Sequence, residues 1–227
     1  MENKENVKTE AKSFTNMGRK IFVYILGLFI IALGVSVSVK SNLGVSPVNS
    51  IPYVLSLITG IEQGKCVTAV FISFIALQAL ILLKEFEVKN LLQIICSTIF
   101  GYFVTAANKL TAGVPECGNY GVQLFYLLIS MCLIAIGISL FLKADLILMP
   151  AEGVTGAIAK KFGVKFPNAK SGCDIAMVII AAALSMIFFK ELRGVREGTL
   201  IAAIFIGQIM KVWRRFADDK ITKFLEG

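Results

Sequence analysis

The sequence predicts an all-α polytopic membrane protein, with about six transmembrane helices and two short half-helices arranged as an internal repeat. Two observations carry that expectation. Hydrophobic residues make up 56% of the chain and charged residues only 17%, with a mean hydropathy of +0.78, so too little polar surface exists to cover a water-soluble core. The stretch 34–47, GVSVSVKSNLGVSP, also returns as 137–150, GISLFLKADLILMP. Gly34, Ser36, Lys40, Leu43 and Pro47 meet Gly137, Ser139, Lys143, Leu146 and Pro150 without a gap, and Asn42 meets Asp145.

Taken in order, residues 1–18 are polar and mixed in charge and read as a disordered cytoplasmic tail. The run 21–39 carries no charge and spans roughly 30 Å as helix, the thickness of a bilayer core. It follows Arg19 and Lys20 as a signal peptide's apolar region does, but it is too long and lacks a small-residue cleavage site. It therefore reads as a retained first span. Further spans are 66–83, 91–107, 122–142 and 175–189, and a shorter sixth, 200–213, contains Lys211 near its end, placed to snorkel to the interface. Repeat 1 is thus 19–110, a connecting loop 111–121, repeat 2 122–215 and a cytoplasmic tail 216–227. Trp213, Phe216, Ile221 and Phe224 suit a helix lying at the interface.

The segments 47–59 and 150–162 are roughly 20 Å long as helix, too short to cross comfortably. Pro47 and Pro150 suit a first helical position, Ser46 suits a cap, and Gly60 and Gly163 mark the ends. Both read as half-helices that enter the membrane and turn back, a conformation tolerated where protein or a wet cavity covers the backbone. If they do not cross, each repeat holds an odd number of spans and the second copy lies upside down. If they cross, the repeats are parallel. The positive-inside rule favours inversion, placing Lys84 and Lys89 inside and the nearly uncharged loop 111–121 outside. Lys190, Arg193 and Arg196 sit outside in either scheme.

Gly34, Lys40 and the turn Leu43-Gly44-Val45-Ser46-Pro47 resemble the signature of the YczE/YyaS/YitT-like bacterial integral membrane proteins, a largely uncharacterised family. Gly60, Gly64, Pro150-Ala151-Glu152-Gly153, Gly194-Val195, Gly198-Thr199-Leu200 and Gly207 extend the resemblance over about 19–215. Val48 and Asn49 depart from it, standing where an aromatic and an acid often follow the first turn. The resemblance implies about six helices and no settled substrate.

Function is therefore sought where polar groups sit in a medium that penalises them. Glu152 is the sharpest case, because an ionisable residue on a membrane half-helix faces a cavity or a partner by default. Half-helix N-termini carry partial positive charge and unpaired N–H groups, and two that converge make a solute or ion site. The expected substrate-binding set is Lys40, Asn42, Ser46 and Asn49 with Lys143, Asp145, Glu152 and Thr155. Plainer roles compete: snorkelling for Lys40 and Lys143, capping for Ser46 and Asp145, a dipole partner for Glu152. Gln78, Gln93 and Gln208 suit interhelix hydrogen bonds, and Ala32, Gly34, Ser36, Ala182, Ala183 and Gly207 suit close helix packing.

Other chemistry is sparse. The chain has no His and no Gly-rich phosphate loop, and Cys66, Cys96, Cys117, Cys132 and Cys173 show no metal spacing. No catalytic residue, metal ligand or cofactor is expected. The net charge of +8 flanks the spans, so orientation and anionic lipid account for it without nucleic acid. The function expected is a permease for a small polar solute, with Lys40, Lys143 and the helix ends favouring an anion, in a bacterial plasma membrane with both termini cytoplasmic. Alternatives are a solute-capturing subunit with a separate energising partner, or a membrane scaffold. A homodimer is compatible with each.

Overall fold

The computed structural model describes residues 2–115 and 118–226. The described residues form α-helices without strands: α1 (Glu2–Ser41), α2 (Pro47–Thr59), α3 (Gln63–Leu82), α4 (Gln93–Leu110), α5 (Tyr120–Ala144), α6 (Pro150–Phe162), α7 (Phe166–Phe189) and α8 (Glu197–Glu226). Cys117, one of the five cysteines, lies outside the described residues. The chain is an all-helical, polytopic membrane protein.

Five helical segments among the described residues are long and apolar enough to cross a membrane, Asn16–Ser41, Gln63–Glu85, Val88–Leu110, Tyr120–Ala144 and Phe166–Phe189. The expected sixth, 200–213, is not among them. Its helix, α8, continues through Arg214, Arg215, Asp218 and Asp219, so its apolar part is only the front half of a longer, charged rod. A second departure is at α7, which begins at Phe166 rather than 175 and so takes Lys170 and Asp174 into the helix, and a third is at the expected disordered tail, which is helical from Glu2 as the start of α1.

The two short helices have the expected bounds. Pro47 and Pro150 open them, and Gly60 and Gly163 close them in the left-handed region at φ 70° and 66°, returning their N–H groups to the carbonyls of Ser56 and Ala159.

Small residues set the relation between the repeats. A Cβ on Gly27 would stand 2.8 Å from the Phe141 amide nitrogen, one on Gly34 2.7 Å from the Ile134 side chain, and one on Gly137 2.7 Å from the Gly27 carbonyl. Partner numbers fall along α5 as they rise along α1, so the two helices run antiparallel in close backbone contact. They are the same element of the two repeats. The repeats are therefore inverted.

The rest of the bundle obeys that symmetry, with α2 packed on α7 and α3 on α6, and α1 on α4 as α5 is on α8. Long-range contacts sort into two ends. At one, Arg19 donates to the Phe224 carbonyl (3.3 Å), Lys143 pairs with Asp218 (3.4 Å) and Lys160 with Glu85 (2.9 Å). At the other, Ser36 bonds Thr111, Val45 donates its amide to the Gly194 carbonyl (3.1 Å), and Asn108 donates to Gln63 (2.9 Å). The approach to α2 and the start of α3 share the second end, while the end of α5 and the end of α6 share the first. Two of the three cations that burden the second end are neutralised there: Arg193 pairs with Glu191 and stacks over the Phe189 ring, and Arg196 reaches Glu197 and the Asn42 carbonyl.

The main core lies between α1, α3, α4 and α5, where Phe71 and Phe100 stack at 5.8 Å between ring centroids. Above it Gln78 and Gln93 exchange hydrogen bonds of 2.8 and 3.3 Å, and Gln78 also donates to the Pro150 carbonyl. These bonds join α3 to α4 and fasten the start of α6 to both.

Candidate functional site

The starts of α2 and α6 meet at a cavity of about 320 Å³ in the middle of the bundle, within the size range of small-molecule sites. Its walls are mostly apolar, supplied by such residues as Ile31, Phe71, Phe100, Phe141 and Met149. Its polar side chains are Ser46, Asn49, Glu152, Lys170 and Asp174.

Local sequence explains how these groups arrive. Ser46 is extended (φ −59°, ψ 151°), so Pro47 can start α2 at once, and neither Ser46 nor Met149 caps its helix through a side chain. The Ser46 hydroxyl is engaged instead by Asn49, whose Nδ2 donates to it at 3.0 Å. Asn49 is only 5% exposed, and its Oδ1 has no hydrogen-bond partner. Glu152 repeats the pattern in α6, with Oε2 buried and unpartnered. Each is the third residue of its short helix, so the symmetry that relates the repeats also relates these two acceptors. A polar atom buried without a partner costs about 1–3 kcal/mol. Two of them stand at equivalent places beside one cavity.

The remaining charges are the Lys170–Asp174 pair on α7, at 2.7 Å, with side chains 28% and 21% exposed. The lining thus holds two carboxyl groups and one ammonium group. The described residues contain no cluster of metal-ligating side chains.

Of the residues singled out from the sequence, the structure gathers Ser46, Asn49 and Glu152 at this cavity. The others stand elsewhere. Lys40 lines a separate surface pocket with Thr111 and Tyr126, and Lys143 is held by Asp218. Asn42 and Asp145 occupy matching left-handed positions at the ends of α1 and α5, at φ 56° and 48°, where they turn the chain. Thr155 is fully buried and spends its hydroxyl on the Ala151 carbonyl of its own helix (2.9 Å).

Lys170 and Asp174 are the groups that sequence reasoning missed, because Lys170 reads as one more cytoplasmic cation and Asp174 falls just before the expected span. A signal existed. The offset that aligns Gly60 with Gly163 carries the start of α3 at Gln63 onto Phe166, which places both residues inside a helix four positions apart.

Residues 18–215 match the model of a family described as a family of unknown function, DUF6198, and the chain belongs to that family. The match covers both repeats. No curated protein and no solved structure shows a significant match.

Proposed function

We propose that the chain, as a member of that family, is an integral membrane permease that binds a small polar solute where its two short helices meet. In this reading α2 and α6 are re-entrant, their amide-rich starts face the solute, and the inverted repeats rock to open the site to alternate sides. The observation that carries it is the symmetric pair of unpartnered buried acceptors, Asn49 and Glu152, on one cavity. Neither Lys40 nor Lys143 lines that cavity, so of the argument for an anion only the helix ends remain. The lining favours a solute that brings hydrogen-bond donors or a positive charge.

Placement in a bacterial plasma membrane with both termini in the cytoplasm follows from the same reading. Lys160, Lys161 and Lys165 cluster near the end where Arg19 meets Phe224, whereas the described part of the α4–α5 connection carries no cation. The proposal assigns no catalytic residue.

Uptake into proteoliposomes, with a pH gradient and a panel of radiolabelled small amines, amino acids and carboxylates, tests the reading. Saturable uptake of a donor-bearing member is expected, lost in Glu152→Gln with an unchanged melting temperature. Uptake indifferent to Glu152→Gln removes that residue from the mechanism, and a panel that is wholly excluded removes the permease. A second reading, solute capture for a separate energising subunit, draws on α7, whose apolar face is the least covered of the five candidate spans. Copurification of a stable complex, with transport only in its presence, decides for it.

A further inference from the structure

The two repeats are built alike but do not close alike. In the first, α3 and α4 cross at a glycine seam: a Cβ on Gly64 would run into the Gly101 carbonyl, and one on Gly101 would meet Thr68 and the Gly64 carbonyl. Thr68 ties the seam by donating to the Gly64 and Ser97 carbonyls at 3.1 and 3.3 Å. The offset that aligns Gly34 with Gly137 leads from Gly64 and Gly101 to Pro167 and Ile204. Neither residue allows two backbones to touch. Accordingly α7 and α8 are not among the helix pairs that pack in extended contact, although α3 and α4 are.

The cavity reaches this gap. Phe166 on α7 and Ala203 and Gly207 on α8 line it and are also exposed, so they form the rim of a mouth. The same two helices carry Ile175 and Ile179 on α7 and Leu200, Ile204 and Phe205 on α8, each more than half exposed. Such a face belongs against hydrocarbon. The mouth therefore opens toward lipid, while the unpartnered acceptors Asn49 and Glu152 and the Lys170–Asp174 pair lie inside.

Resting on the permease reading of the same cavity, we infer that its ligand is a single-chain amphiphile with an amine head, which enters from the bilayer through the gap between α7 and α8. The ammonium donates to Asn49 Oδ1 and Glu152 Oε2. The alkyl chain lies along Ile138, Leu142 and Ile206, which line the cavity and are partly exposed. An ammonium head meets the carboxyl groups of Glu152 and Asp174 as an opposite charge, where a carboxylate head would meet them as a like charge.

Binding of dodecylamine, dodecanoate and butylamine to the full chain, released from nanodiscs and weighed by native mass spectrometry, tests this. One dodecylamine per protein is expected, at least tenfold tighter than dodecanoate or butylamine. Glu152→Gln weakens it tenfold or more, and Gly207→Trp abolishes it by filling the mouth, where an added Cβ would meet nothing within 4 Å. Ala203→Phe repeats the block on the same helix, and both variants are compared at an unchanged melting temperature. Butylamine bound as tightly as dodecylamine by the wild-type protein overturns the lipid-side entry and leaves the polar site standing. Preference for dodecanoate overturns the amine head. No binding of either amine overturns this inference, and if uptake of every small solute also fails, the permease reading falls with it.

Discussion

At the residue scale, stability and function separate at Asn49. Its Oδ1 is buried with no partner, so replacement by Leu removes an uncompensated polar atom, which offsets the lost bond to Ser46, and is expected to change stability by less than about 1 kcal/mol. Solute uptake should be lost. A large fall in melting temperature would make Asn49 a structural residue. Gly64 is the opposite case, because the atom its Cβ would strike is backbone and cannot rotate away. Gly64→Val is expected to destabilise the protein by about 1–3 kcal/mol, read as a drop in melting temperature in detergent. Ser46, Asn49 and Glu152 were legible in the sequence because helix-start chemistry fixes their position. Lys40 and Lys143 misled because a cation closing an apolar helix looks the same whether it faces a cavity or a partner such as Asp218.

At the element scale, α2 and α6 were readable to the residue, since Pro at one end and Gly at the other punctuate a helix more strongly than hydropathy does. The start of α7 was not, because Lys165, Lys170 and Asp174 dilute the apolar signal over its first turns. The extent of α8 was hidden for the converse reason: helix continues long after hydrophobicity stops. The Lys170–Asp174 pair within α7 gives a measurable consequence. Lys170→Met leaves Asp174 without its partner and is expected to cost about 1–2 kcal/mol, the half-shielded setting reducing the penalty. Adding Asp174→Leu should recover most of that loss. Thermal melts of the single and double variants measure both.

At the scale of the whole molecule, duplication was plain in the sequence but its handedness was not. Loop charges weigh only a few lysines, whereas the antiparallel α1–α5 seam decides the matter by geometry. Single cysteines at Ala112 and Lys89, in a background without native cysteines, are expected to react with an impermeant maleimide from opposite faces of the membrane, Ala112 from outside intact cells. Labelling of both from one face would refute the arrangement. The α1–α5 seam also bears on assembly. Because the tightest helix pairing and the reciprocal docking of α2 on α7 and α3 on α6 all join one copy to the other, each half hides much of its surface in its mate. A gene severed within the α4–α5 connection should therefore still yield working protein when both pieces are made together, and degraded fragments when either is made alone.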